Sequence, residues 1–244
     1  MSEASVSETS ETGKSSGHDG GDAALVWDLP VRLIHWSLLV AVLGSWLTRE
    51  LEGDWFVWHT RFGYAVLVLV VTRILWGFLG TRHARFASFV RGPGAVIEYL
   101  RGESRGTVGH NALGALMVLA MLAMLLAQAV TGLFANDQVF ETGPLFGFVT
   151  IETSDRVTSI HKQLFDWIVA AVAVHVAAAL FYLWVRRDNL IKPMVTGYKP
   201  GELVPQAERI KGSKLWLAIL IAASIGGVLA WIVRSAPEAS LYVF

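Results

Sequence analysis

The stretch HKQLFDWIVAAVAVHVAAALFYLWV, residues 161–185, decides the fold. It is long enough to cross ~30 Å of hydrocarbon at ~1.5 Å of rise per residue. His175 sits inside it between Val174 and Val176, with apolar residues for several turns on either side. An ionisable group in a bilayer is costly, and its default reading is functional. His161 opens the same stretch, fourteen residues earlier. That spacing is ~21 Å of helical rise and within ~40° of a whole number of turns, so the two imidazoles share one helix face at two depths.

Four more apolar stretches of membrane-spanning length occur at residues 31–48, 59–79, 111–134 and 215–233. The first follows Asp28-Leu29-Pro30, an acidic cap with an early proline. No strand-type alternation is long enough for a barrel, and no repeat of fixed period is visible. The expected fold is all-α: an integral membrane four-helix bundle over residues 25–200, then a linker and a fifth C-terminal transmembrane helix over 201–244. Residues 1–24 are rich in Ser, Gly, Glu and Thr and read as a disordered tail, because they cannot bury enough surface to offset ordering entropy.

Composition agrees. Apolar residues make up 54% of the 244 and charged residues only 16%, with a mean hydropathy of +0.50. Twenty basic residues balance twenty acidic ones, which removes the basic excess that nucleic-acid binding requires. The chain has no cysteine, excluding disulfides, thiolate metal sites, iron–sulfur clusters and covalent c-type haem attachment. Histidine is left as the only strong ligand for a transition metal.

Loop charge predicts orientation. Arg82, Arg85, Arg91, Arg101 and Arg105 follow the second stretch, and Arg186, Arg187, Lys192, Lys199, Arg209, Lys211 and Lys214 follow the fourth. The opposite loops hold only Arg49 and Arg156, and are acidic, with Glu50, Glu52, Asp54, Asp137, Glu141, Glu152 and Asp155. The N-terminus and the basic loops are expected in the cytoplasm of a bacterium, and the C-terminus on the periplasmic side of its inner membrane.

Of seven histidines, His18 in the tail and His83 in a basic loop read as solvated. The other five lie in or at the ends of apolar stretches. Matching depths pairs His59 with His161 near the acidic loops, and His35 with His175 nearer the basic ones. Neutral imidazole is a good axial ligand for haem iron, and a bundle core is a natural place for it. Each pair is therefore a candidate haem site, with these four histidines as iron ligands. His110 opens the third stretch; it could replace His35, hold a haem propionate or a quinone, or simply cap its helix. Arg73, fourteen residues after His59, could pair with a propionate or reach the headgroups, and Arg32 and Arg61 are weaker candidates for the same role. Gly63 and Gly114 could let a flat macrocycle approach the backbone. The tryptophans near segment ends, among them Trp27, Trp36, Trp46, Trp58, Trp76, Trp184 and Trp231, read as an interfacial belt.

Several segments also resemble a known family. VWDLPVRLIHW (26–36), WHTRFGYAVLVLVVTRILWGFLG (58–80), RFASFV (85–90), GHNALGALMVLAMLAMLLAQAVTGLF (109–134), the IHKQLF and AVHV pair and MVTGYKP (194–200) resemble the bacterial di-haem cytochrome b-561 family. That family includes the cytochrome b subunits of nickel–iron hydrogenases. The resemblance covers about residues 25–200 and implies two b-type haems on His35, His59, His161 and His175. It also implies electron transfer between the quinone pool and a redox partner outside the membrane, such as a c-type cytochrome or a hydrogenase- or dehydrogenase-like subunit. The chain has no dehydrogenase or hydrogenase motif, so it reads as an electron-transfer subunit of an oxidoreductase. The competing reading is a transporter whose histidines line a path for protons or metal ions; it would predict more membrane carboxylates than Asp166 and helices broken by Gly or Pro.

Overall fold

The computed structural model describes residues 23–51, 55–103, 108–139 and 141–237. Almost all of the predicted tail, His18 included, lies outside the described residues. Among the described residues, five helices are long and apolar enough to cross a membrane: α1 (Leu29–Glu50), α2 (Phe56–Leu79), α5 (Ala112–Phe134), α6 (Ile151–Trp184) and α8 (Leu215–Arg234). Short helices α3 (Phe86–Phe89), α4 (Pro93–Leu100) and α7 (Ile191–Thr196) lie at the basic end. Strands β1 (Ala23–Leu25) and β2 (Tyr198–Pro200) pair antiparallel there.

Local chemistry explains the helix starts. The Asp28 side chain accepts from Val31 N at 2.8 Å, and Pro30 sits in the first turn of α1, where a missing N–H costs nothing. Asn111 caps α5 by accepting from Gly114 N at 2.7 Å. The fourth span begins ten residues before its apolar stretch. Thr150 caps it, and Arg156 pairs with Glu152 one turn apart, so polar turns extend the helix beyond the membrane. At 34 residues α6 measures ~51 Å, well over the hydrocarbon thickness.

Helix α1 packs along α2, α2 against α5, and α5 along α6, with α8 resting on the far side of α2. Val66, Leu67 and Val70 of α2 meet Leu122, Leu125 and Ala129 of α5 at the centre. The α6 backbone stands off from α1 and α2, leaving a gap that side chains must span.

The basic end is closed by a clasp built from two segments far apart in sequence. Val26 N and Trp27 N both donate to Gly197 O, at 2.9 and 3.1 Å, beside the β1–β2 pair. Gly197 has φ +92, and a Cβ there would lie 2.9 Å from Trp27 O, so both conformation and space require glycine. Ala23 and Ala24, which composition assigns to the tail, are thus part of the folded chain.

Asp28 is the hub under the clasp. Besides capping α1, its buried carboxylate accepts from Trp76 Nε1 at 3.0 Å and from Thr81 Oγ1 at 2.6 Å. Two readings are corrected here. Trp27 and Trp76 are core residues rather than belt, since burying the indole N–H of Trp76 is matched by that carboxylate. His83 is buried rather than solvated, with Nε2 2.8 Å from the Glu208 carbonyl, because the chain after β2 folds back over the 82–84 turn.

Candidate functional site

The gap between α6 and the α1–α2 pair is crossed by imidazoles at two levels. Near the acidic loops, His59 of α2 faces His161 of α6, with ring centres 6.4 Å apart. Nearer the basic loops, His35 of α1 faces His175 of α6 at 6.3 Å. An imidazole nitrogen lies ~2.0–2.1 Å from a bound transition metal and ~1.2 Å from its own ring centre, so rings on opposite sides of one metal ion stand ~6.4 Å apart. Both pairs have the spacing of two axial ligands on one metal.

The first pair is oriented by backbone. His59 Nδ1 lies 2.8 Å from Ser45 O, and His161 Nδ1 lies 2.9 Å from Gln128 O. A carbonyl only accepts, so each Nδ1 carries the proton and each Nε2 is the nitrogen whose lone pair can be given to a ligand, that of His161 accepting from the Gln128 amide. Such an outer N–H to carbonyl bond fixes the tautomer and ring angle of a metal-ligating histidine and raises its basicity. Thr131 Oγ1 stands 3.1 Å from His161 Nδ1, and Gln128 Nε2 stands 3.2 Å from its Nε2. All four bundle helices therefore contribute to one level.

A cavity of about 450 Å³ surrounds this pair, walled by Val42, Val66, Leu125, Ala129, Phe165 and Ile168. Gly63 also lines it, with nothing within 4 Å of where a Cβ would stand. Gly132 lets His161 approach α5, since a Cβ there would be 3.0 Å from His161 Cε1. Gly114 has a different place, tucked over the Asn111 cap. In the second pair, His35 Nδ1 is buried with no hydrogen-bond partner among the described residues, and Trp36 meets the ring edge-on at 5.1 Å. Imidazole nitrogens in a gap walled largely by apolar side chains, with Arg49 and Lys162 also lining it, suit a b-type haem, a large apolar group carrying anionic propionates.

The remaining sequence candidates lie elsewhere. His110 packs between Phe89 and Trp27, with ring centres at 4.5 and 4.8 Å, so His35 is the ring opposite His175. Its pKa is pushed down to about 3, first by burial and then by Arg73, Lys199 and His83. Arg73 is buried rather than extended to the interface. It donates to Ala84 O at 3.2 Å, stands 5.5 Å over Phe86 and feels the Asp28 charge. Arg32 donates to Val195 O at 2.6 Å, tying α7 to α1, and Arg61 stacks on Trp58 at 4.7 Å.

Sequence reasoning missed Ser45, Gln128, Thr131 and Gly132. A signal was present, since Gln128 is a polar side chain in an otherwise apolar span.

A membrane bundle with imidazoles paired across its core has the form of a membrane cytochrome. The chain belongs to the prokaryotic cytochrome b561 family, whose model matches residues 26–197. It is thus a multi-pass bacterial membrane protein, a b-type cytochrome of electron transfer with haem b as cofactor. Curated relatives include three proteins named as probable Ni/Fe-hydrogenase B-type cytochrome subunits. The chain is 28% identical to that of Azotobacter vinelandii over 217 residues, covering 72% of this chain and 88% of the relative. It is 26% identical to that of Bradyrhizobium diazoefficiens over 213 residues (73% and 86%). It is 25% identical to that of Rhodobacter capsulatus over 210 residues (71% and 80%).

Proposed function

We propose that this cytochrome holds two haems b, one between His59 and His161 and one between His35 and His175, and carries electrons between the quinone pool and a redox partner at its acidic face. The observation that carries this reading is the pair of imidazole contacts at two depths of one helix, 6.4 and 6.3 Å across the same gap. When bound between such imidazoles, haem b supplies a one-electron redox couple. The protein's part is to aim each Nε2, through the Ser45 and Gln128 carbonyls at the first level, and to pack the macrocycle against aliphatic walls. The fourteen residues from His161 to His175 set the two levels ~21 Å apart along the helix.

The partner is a c-type cytochrome or a hydrogenase-type subunit, and the names of the relatives support the second. Loop charge supports a cytoplasmic N-terminus and a periplasmic acidic face. Acidic loops there would steer a basic surface, so the rate of electron transfer to the partner should fall as ionic strength rises; a rate insensitive to salt removes the steering argument.

The direct test is a reduced-minus-oxidised absorption spectrum with haem content per chain. About two b-type haems in the wild type and about one in His175→Ala are expected. A purified chain without haem, despite adequate haem supply, overturns the assignment.

A further inference from the structure

At the basic end, where α2 stops at Leu79 and α8 starts at Leu215, lies an open groove of about 520 Å³, a size that suits a small ligand. Gly80, Arg82, Arg85, Lys211, Gly212 and Lys214 form most of its lining, and no acidic side chain lines it among the described residues.

The groove is built rather than incidental. Arg82, which lines it, pairs with Glu208 at 3.4 Å and donates to the Ala207 carbonyl, while His83 holds the Glu208 carbonyl at 2.8 Å. Ser213 Oγ accepts from Leu29 N at 3.0 Å, pinning the far wall to the start of α1. With Arg82 paired, Arg85, Lys211 and Lys214 are left as three exposed cations around a fixed hollow. Lys214 adopts φ +44 and gives α8 no side-chain cap, so the first N–H groups of a 20-residue helix open at the same place.

Its height in the molecule points to the ligand. Two membrane-length helices end here, and Trp216, the second residue of α8, is 81% exposed, as an interfacial tryptophan is. A cationic hollow at that level faces lipid phosphates. We propose that this groove binds the phosphate of an anionic phospholipid headgroup and so anchors α8 beside α2. Basic pockets between membrane helices recognise such headgroups, and Arg85 can grip a phosphate through two N–H groups at once.

The test uses delipidated, haem-loaded protein and native mass spectrometry with added phosphatidylglycerol, cardiolipin or phosphatidylcholine. The two anionic lipids should bind the wild type in preference to phosphatidylcholine. The triple variant Arg85→Gln/Lys211→Gln/Lys214→Gln should bind them about a hundredfold more weakly, since each interfacial cation contributes about a factor of five. Arg186→Gln/Arg187→Gln, a basic pair away from the groove, should bind as the wild type does. If the triple variant loses its haem spectrum, Lys211→Gln alone should show a loss of ~5-fold. Equal lipid binding by wild type and folded variant overturns the site. Inorganic phosphate binding in detergent as tightly as the lipids would assign the groove to a soluble phosphate and overturn the lipid reading.

Discussion

The rings of His59 and His161 stand 6.4 Å apart, and each turns its Nδ1 toward a backbone carbonyl of a different neighbouring helix. The facing edges are thereby left to the two Nε2 atoms. Orientation by main-chain carbonyls also means that no side-chain substitution removes those two acceptors.

Gly132 is where crowding acts. A Cβ at 3.0 Å from His161 Cε1 forces the ring to give by a few tenths of an ångström, and a larger side chain cannot fit. Gly132→Leu should lower haem content from about two per chain to about one, measured by pyridine haemochrome assay. Unchanged content would mean that His161 has room its neighbours do not suggest.

The Asp28 hub should dominate the stability of the basic end. Asp28→Ala strands two buried donors, Trp76 Nε1 and Thr81 Oγ1, at about 1–3 kcal/mol each, and removes the α1 cap. Trp76→Phe removes one hydrogen bond and leaves the carboxylate two donors, so it should cost less. Thermal loss of the Soret band should rank wild type above Trp76→Phe and Trp76→Phe above Asp28→Ala; a reversed order for the two variants contradicts the hub.

Gly197→Ala should loosen the clasp. The left-handed backbone costs an alanine ~1–2 kcal/mol, and its methyl meets Trp27 O. Faster hydrogen exchange at Val26 and Trp27, whose N–H groups donate to Gly197 O, is the expected signature. Exchange at the wild-type rate would show that the clasp tolerates the change.

Acid should weaken the same end. Burial and nearby cations lower the His110 pKa to about 3, and burial lowers that of His83, from an ordinary 6.5. Both bind protons more weakly folded than unfolded, so their contribution is full above pH 6.5 and lost as pH falls below it. For His110 the loss approaches about 1.4 kcal/mol per pH unit between those two values. His110→Phe, filling the space between Trp27 and Phe89 with another ring, should flatten the fall in melting temperature between pH 7.5 and pH 5.5, an expectation resting on that per-unit slope. An equally steep fall in the variant would place the acid sensitivity elsewhere.

The spans were legible because a membrane helix is a local property: twenty or so apolar residues suffice, whatever lies around them. All five appear where the apolar stretches lie, and only the start of α6 differs, since polar capping residues outside the membrane leave no mark in hydropathy. The histidine pairs were legible for a related reason. Depth along a helix follows from position in the chain, so His59 and His161, or His35 and His175, could be matched by level alone.

The sequence favoured His35 over His110 as the neighbour of His175, since His35 lies further inside its helix, but both lie toward the basic end and His110 stayed open as the alternative. Packing decides it: Trp27 and Phe89 enclose His110 on the clasp side, while His35 looks into the gap beside α6. The same holds for His83 and Trp76, which became core only when the chain after β2 folded back and when Asp28 was brought to the end of α2. Sequence by itself determined the membrane class, the five spans, the two levels of imidazole and the family resemblance, all functions of composition and helical spacing along one segment. Tertiary structure alone decided which rings face each other, which carbonyls aim them, and which polar residues are buried as hubs. Those depend on contacts between segments far apart in the chain, and no periodicity within one segment encodes them.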